Sequence, residues 1–580
     1  MGANACDDVF GWADREPGRV MFAVQADGGW KPLTAAQLAA RVGALAGGLV
    51  ASGIRPGDRV GLMAATSLEW AVCDFAIWAA GAVTVPIYES SSEEQIGWVL
   101  GDSGAVAVFA GTARLAEAIR RARPTKVEVI WRLDADDLDA LARAGQHVPS
   151  GEVTRRRAAV TAETLATIVY TSGTTGRAKG CMINHSNLTE AVGAITAVPG
   201  VQEQVLAGDS SSLFFLPLSH ILARVVMLCL LNAGKRSGFL PDANQLPEAL
   251  ATFRPTILLT VPRVLEKVTA AARQQADAEG HQRLFAAAEA AAVAWSQAGG
   301  RTGPGLRLRH ALFSRLVYAR LRQALGGRVT WVISGSAPLN EHLSHFLRGA
   351  GLTVMEGWGL TETVGPVTMN PPAVQRPGSV GLPLPGCSVR IAADGEIEVE
   401  GPDVFQGYWQ DPQATGAAFD GRWLRTGDLG RVDDGGFVYV IGRKKDMLIT
   451  AGGQHVAPSA LEDTVREHWL IAECVVVGER RPYVAALVTL DEAAFTRWKK
   501  RQGKRAGATI AELRDDLDLR SVVQQAVDRA NAVVSRPETI KRFRILAGPF
   551  HVGAELTATD KVRRDYVLAK YASDIDALYT

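Results

Sequence analysis

A short β-rich segment, Thr167–Tyr170, runs directly into Thr171-Ser172-Gly173-Thr174-Thr175-Gly176-Arg177-Ala178-Lys179-Gly180. A strand that ends in such a run has few uses for it. Glycines permit positive φ and a close backbone approach to a ligand. Successive backbone N–H groups in the turn, joined by hydroxyls and a lysine, can cradle phosphate oxygens. The segment reads as a loop that grips a polyphosphate, with an ordinary turn as the alternative. It is not a Walker A loop, because no Gly-Lys-Ser/Thr follows the spacer.

The surrounding pattern is that of an α/β protein. From Leu33 to about Gly111 helical runs such as Ala35–Ser52 alternate with apolar strand-like runs such as Arg59–Met63 and Ala82–Ile87. Alternation of this kind predicts parallel βαβ units. Val106–Phe109 and Lys126–Trp131 are further strand candidates, and the polar segment Asp134–Ala158 reads as a connection to the glycine-rich loop. After that loop a helix is expected from Ser186, then a second alternating block over Leu213–Thr260. Arg263–Gly326 is alanine-rich and reads as a long helical hairpin broken at Gly299-Gly300 and Gly303-Pro304-Gly305; Arg328–Ile333 then resumes the sheet. Around Pro371 short strands with turn signals begin: Val389–Ile391, Glu396–Val399 and Phe437–Ile441. After Arg443 a charged turn leads to a compact α/β tail, with Leu461–His468 helical and Cys474–Val477 and Val484–Leu490 as strands. A chain of 580 residues is too long for one core. We therefore expect an N-terminal domain over 1–442, with the insert at about 263–326 and a small β subdomain at about 372–442, and a C-terminal domain over 443–580.

Three further motifs suit a nucleotide. In Glu356-Gly357-Trp358-Gly359-Leu360-Thr361-Glu362-Thr363 the glycines leave the Trp358 face approachable for a purine. Thr361 and Glu362 offer hard oxygens for a Mg²⁺ shared with phosphates. A buried tryptophan beside a surface carboxylate would fit the same residues. In Trp423-Leu424-Arg425-Thr426-Gly427-Asp428 the aspartate suits two ribose hydroxyls or an Asx-type turn. Gly442-Arg443-Lys444-Lys445-Asp446, followed by Gly452-Gly453-Gln454-His455, is either a solvated loop or a phosphate and ribose contact.

In this order and spacing, the motifs resemble the AMP-forming acyl- and aryl-CoA synthetase superfamily, which includes adenylation domains and insect luciferases. The likeness covers nearly the whole chain. It is strongest to bacterial long-chain fatty acyl-CoA synthetases, through Phe215-Leu216-Pro217-Leu218-Ser219-His220, Val261-Pro262-Arg263-Val264-Leu265-Glu266-Lys267 and Thr450–Pro458. The resemblance implies a large N-terminal domain of α/β subdomains plus the small β subdomain, and a mobile smaller C-terminal α/β domain. It implies ATP, Mg²⁺ and CoA, with a long-chain fatty acid activated through an acyl-adenylate. Delivery to a separate carrier protein or an amine instead of CoA is the alternative.

The resemblance also implies roles. Thr171, Ser172, Gly173, Thr174, Thr175, Gly176 and Lys179 would hold the β- and γ-phosphates, with Thr174 and Glu362 on the metal. Adenine would lie between Trp358 and the Ser336-Ala337-Pro338 backbone, within a pocket that Glu356 and Gly357 help to form. Thr361 would meet the α-phosphate, Asp428 and Arg443 the ribose, and His220 the acid carboxylate. Lys445 would be the hinge, Gly453 would belong to the thioesterification loop, and Lys561 would be the catalytic lysine. Asp560 departs from the pattern, since relatives usually carry a neutral residue there. Retention of Lys179, Glu362 and Lys561 argues against a non-catalytic lipid-binding protein.

Composition adds bounds. The net charge of +1 gives no field to draw in nucleic acid. The six cysteines, Cys6, Cys73, Cys181, Cys229, Cys387 and Cys474, show no zinc spacing and read as scattered thiols of a reducing compartment. No signal pattern opens the chain, and the apolar run Leu213–Leu231 is interrupted by Pro217, His220 and Arg224. A cytoplasmic enzyme is expected. One segment leaves peripheral membrane contact open: Arg301–Asn340 has seven arginines and no acidic residue. It reads either as a basic amphipathic surface for anionic lipid or as a packed helix with its arginines in water.

Overall fold

The structure is a computed structural model and describes residues 4–26, 28–149, 151–171, 177–557 and 561–580. Contacts divide the chain into two compact units. One holds the chain up to Arg390 together with Glu398–Arg425 and Asp433–Val438; the other holds Ile391–Ile397, Thr426–Val432 and Tyr439–Thr580.

The first unit is built on two large sheets. In the seven-stranded sheet the order is Gly407–Tyr408, Lys179–Asn184, Leu165–Thr171, Val83–Ile87, Arg59–Met63, Ala107–Ala110, Val129–Arg132. Its middle strands are parallel. All five residues of Val83–Ile87 are buried, as expected for a parallel strand covered on both faces. The nine-stranded sheet has a parallel centre of Trp331–Ser334, Ile257–Thr260, Ser211–Phe214, Arg236–Phe239 and Val20–Ala26. Leu68–Ala79 and Ile221–Asn232 are apolar almost all round and buried along nearly their whole length, the signature of helices enclosed within a core. One hydrophobic cluster joins them to both sheets. Inside it the Arg224 guanidinium meets Asp74, with Nε 2.7 Å from Oδ2, while Thr84 Oγ1 donates to Asp74 Oδ1 at 2.7 Å and Nη1 donates to Thr167 Oγ1 at 2.9 Å.

Two expectations are corrected. The segment 134–158 is not a plain connection: it holds the helices Asp137–Gly145 and Glu152–Ala158. Asp137–Gly145 crosses Ala35–Ala51 so closely that a Cβ at Gly48 would lie 2.2 Å from the Leu141 carbonyl oxygen. Leu138, Leu141 and Ala142 line the face turned to the core, but the helix is short and three of its nine residues are charged. The alanine-rich insert has, besides the expected break between Gln297 and Pro304, a further one at Gly280 (φ +75°) that divides it into Pro262–Ala278 and Gln282–Gln297. A third rod, 304–324, follows and contains one π turn at Ser314–Tyr318.

The small sheet orders Ser388–Ile391, Glu396–Glu400, Trp423–Val432 and Phe419–Asp420, with Val438–Arg443 on Trp423–Val432, and gives strands to both units. The second unit continues with a sheet of Ile471–Val477, Val484–Leu490 and Ile540–Ile545. Its strands alternate sides as the two-residue period requires. Cys474 and Val476 face a cluster with helices Pro458–Arg466 and Leu517–Asn531, whereas Val475 and Val477 face one with Val567 and Ile575.

Candidate active site

Strands Leu165–Thr171 and Lys179–Asn184 pair antiparallel, with Thr171 opposite Lys179. The glycine-rich run stands between these two strands in the sequence; Ser172, Gly173, Thr174, Thr175 and Gly176 lie outside the described residues. Its shoulder is held by Trp98, whose Nε1 donates to Ala178 O at 2.8 Å and whose ring lies 4.7 Å from the Arg177 guanidinium.

Thr353–Leu360 carries Glu356, Gly357 and Trp358 and delivers Thr361 and Glu362 onto the short turn Thr361–Thr363. The turn depends on Gly359, where a Cβ would fall 1.9 Å from the Gly365 carbonyl oxygen. Glu362 is anchored twice: its carbonyl accepts from Phe405 N at 2.8 Å, and its Oε1 accepts from the Tyr408 hydroxyl at 2.8 Å. Tyr408 pairs with Cys181 on the strand Lys179–Asn184, and Lys179 Nζ stands 5.1 Å from its ring centroid. The sequence reading missed Tyr408. The signal was Gly407-Tyr408-Trp409, two adjacent aromatics after a glycine.

Ser334 lies opposite Glu356 in parallel pairing, so the loop after it begins beside the Glu356–Trp358 strand. Ser336 adopts φ +70°, a left-handed conformation that a residue with a Cβ keeps only when its surroundings hold it. Glu356 supplies that hold: its Oε1 accepts from Leu339 N at 3.1 Å. Burial pushes the Glu356 carboxyl up to about 8, opposed by the Leu339 hydrogen bond. Oε2 is buried with no partner among the described residues. His220 caps helix Ile221–Asn232, its Nδ1 accepting from Leu222 N at 3.2 Å, so the neutral ring carries its proton on Nε2. A Cβ at Gly335 would lie 3.2 Å from both Leu222 Cδ2 and the Gly357 carbonyl oxygen. The helix start at His220, the Ser336–Pro338 loop and Gly357 thus converge, with Trp358 half-buried on the same strand.

The second unit gathers the other predicted residues. Asp428 is buried, and Arg443 Nε approaches its Oδ1 to 2.7 Å. The bend before Asp428 is fixed by Gly427 (φ +71°), whose N–H donates to Glu396 Oε1 at 2.8 Å, and by Thr426 Oγ1, which donates to Ile397 O at 2.6 Å. Lys444 is bound to Asp394 at 2.5 Å and Glu396 at 2.9 Å. Lys445, next to it on the turn Lys444–Asp446, is exposed, and partial desolvation lowers its pKa. Gly453 sits on an exposed turn with φ +77°. The carbonyl of Lys561 accepts from Thr557 N at 2.8 Å. The residue is exposed. Desolvation of its ammonium end still draws the pKa below the ordinary lysine value; the Arg443 charge adds to this and the Asp428 carboxylate opposes it. Asp560 lies outside the described residues.

Among the described residues no group of three or more His, Cys, Asp or Glu side chains could by itself hold a metal ion. Glu362 with the neighbouring Thr361 fits a different arrangement, one carboxylate sharing a hard cation with substrate phosphates, which suits Mg²⁺. The cysteines supply no nucleophile: five of the six are buried, and burial drives the Cys181 thiol well above its usual pKa. No helix among the described residues is long and apolar enough to cross a membrane.

The chain is similar along nearly its whole length to known enzymes. A long-chain-fatty-acid–CoA ligase of Mycobacterium tuberculosis, FadD15, is 46% identical over 584 residues, covering 99% of this chain and 97% of that protein. The human long-chain-fatty-acid–CoA ligase ACSBG1 is 30% identical over 95% of this chain and 82% of its own length. Among solved structures, ATP-bound MatB from Rhodopseudomonas palustris superposes with a TM-score of 0.70 at 26% identity, covering 98% of this chain and 99% of that one. An anthranilate CoA ligase in complex with anthranoyl-AMP gives 0.75 at 19% identity over the full length of both chains, a likeness of fold. Residues 9–409 match the AMP-binding enzyme model and 445–580 the C-terminal domain of AMP-binding enzymes. This chain belongs to the AMP-binding enzyme family.

Proposed function

We infer that this protein is an AMP-forming long-chain fatty acid–CoA ligase. The observation that carries the reading is the 46% identity to the mycobacterial ligase across nearly the whole of both chains. In the first half-reaction a carboxylate oxygen of the acid attacks the α-phosphorus of ATP, the bond to the β-phosphate oxygen breaks, and pyrophosphate leaves. In the second the CoA thiol, losing its proton, attacks the acyl carbon and AMP departs.

The residue roles are proposals supported by the geometry. Lys179 and the glycine-rich run would bind the β- and γ-phosphates. Ser336, Ala337, Pro338 and Trp358 would hold adenine, and Asp428 with Arg443 the ribose. Glu362, oriented by Tyr408, would hold Mg²⁺ with Thr174 and the phosphates; when bound, the ion would offset phosphate charge. Thr361 would contact the α-phosphate. His220, at the positive end of its helix, would receive the acid carboxylate. Lys561 would neutralise the charge that builds when two anions meet. A pivot at Lys445, within a boundary at 442–446, would then exchange Lys561 for the Gly453 loop. We place the enzyme in the cytoplasm, with peripheral contact to the membrane.

The test is AMP release and product identity with acids from acetate to stearate, each with and without CoA. CoA-dependent formation of long-chain acyl-CoA is the expected result. Stable acyl-adenylate without thioester, whatever the acid, would overturn CoA as acceptor in favour of a carrier protein or an amine.

A further inference from the structure

The rod 304–324 carries a feature that the proposed chemistry does not use. Its inner side is anchored: Phe313, Tyr318, Leu321 and Leu325 are buried, and the Tyr318 hydroxyl donates to Ala288 O at 2.7 Å. Its outer side presents Leu308, Leu312 and Leu316, with relative exposures of 75%, 54% and 47%. In a continuous α-helix, residues four apart drift around the axis by about 40° per step. The π turn at Ser314–Tyr318 closes on the fifth residue, so Phe313 and Tyr318 stay on the buried side although five apart, and Leu316 stays in line with Leu312. The result is a ridge of three leucines over roughly 12 Å of rod.

Charge along this stretch of the chain has one sign. Between Arg301 and Asn340 there are seven arginines and no carboxylate. Arg320 and Arg328 are neutralised by Glu279 at 2.9 Å and Asp209 at 2.6 Å, and Arg322 donates to Ala350 O at 2.7 Å. Arg301, Arg309 and Arg315 are exposed and form no ion pair among the described residues. Exposed leucines in a row, flanked by unneutralised arginines, match a helix that lies in the plane of a membrane, its apolar side at the acyl boundary and its cations among anionic headgroups.

We propose that the Leu308–Leu312–Leu316 ridge is the face by which this protein docks on an anionic lipid bilayer. The choice of a bilayer over an acidic protein rests in part on the inferred fatty-acid substrate, which partitions into membranes.

The experiment is flotation of the full chain with phosphatidylcholine vesicles, with and without phosphatidylglycerol, alongside octanoyl-CoA formation from soluble octanoate without vesicles. We expect flotation with phosphatidylglycerol vesicles only, lost in high salt. We expect the Leu308→Glu/Leu312→Glu variant to lose at least about tenfold of its bound fraction, and Arg309→Glu/Arg315→Glu to lose a comparable share. Leu517→Glu, which alters an equally exposed leucine of the other unit, is the control and should float like the parent. All variants should form octanoyl-CoA at the parent rate, which shows that they are folded. Absence of flotation, equal flotation on neutral vesicles, or unchanged flotation of Leu308→Glu/Leu312→Glu would each overturn the proposal. Failure of the parent with octanoate and with long-chain acids would instead overturn the ligase reading, leaving the flotation result to stand by itself.

Discussion

The Tyr408 hydroxyl donates to Glu362 Oε1 at 2.8 Å while the Tyr408 ring faces Lys179 Nζ at 5.1 Å. One aromatic side chain thus touches both charged groups proposed to handle the triphosphate. Removing only its oxygen separates the two contacts. Tyr408→Phe keeps the ring over Lys179 but frees the carboxylate, so we expect a raised Mg²⁺ requirement and adenylation reduced about tenfold, with stability lowered by only about 1 kcal/mol. Pyrophosphate exchange across a Mg²⁺ series, beside a urea titration, checks both. An unchanged Mg²⁺ dependence would remove Tyr408 from this role.

The Glu356 carboxyl gives the fold a pH dependence of definite sign. Its pKa in the folded protein, about 8, stands above the ordinary value of 4.5. The folded state therefore holds a proton that the unfolded state releases, and this contribution to stability falls as pH rises from about 4.5 towards 8. Glu356→Gln keeps a neutral group able to accept from Leu339 N but does not titrate. Its Tm should decline less between pH 5 and 8 than that of the parent. Parallel Tm profiles would show that Glu356 is ionised throughout.

Lys561 should separate the half-reactions. Lys561→Ala is expected to lose adenylation by at least about a hundredfold and to spare thioester formation from preformed acyl-adenylate. Because its pKa is drawn down, adenylation should weaken at lower alkaline pH than an ordinary lysine would give. Lys561→Arg, which stays charged, should shift that decline upward. Equal loss of both half-reactions in Lys561→Ala would show a structural role.

The buried Asp74–Arg224 pair predicts a pattern of stability. Asp74→Ala leaves a guanidinium in the core and should cost about 3–5 kcal/mol. The apolar double variant Asp74→Leu/Arg224→Met should be less destabilised than either single change, as measured by urea unfolding. Additive losses would show that the pair is not a closed electrostatic unit.

Legibility followed how local each cause was. Val83–Ile87 announces itself because a strand covered on both faces is apolar at every position. The strand Lys179–Asn184 has no such local signature, since its pairing partner, Leu165–Thr171, lies across the loop. The helix Asp137–Gly145 reads as a connection in the sequence because three of its nine residues are charged, although Leu138, Leu141 and Ala142 line the face that packs on the core and Gly145 closely approaches Gly47 and Gly48. Thr361, Glu362, Asp428 and Arg443 could be named from motifs because side-chain type at fixed spacing carries their chemistry. The 2.7 Å contact of Arg443 with Asp428, by contrast, forms only because their two strands pair in the small sheet.

By itself the sequence determined the α/β class, the order of the nucleotide motifs and the residue types on which they depend, because these are properties of local spacing and periodicity. Only the tertiary structure decided that Tyr408 would reach Glu362, that Glu356 would clamp the Ser336 turn, and that Leu308, Leu312 and Leu316 would form an outward ridge. Each of these depends on segments distant in the chain, or on one π turn, being brought into register by burial of a shared core, and no local pattern encodes that.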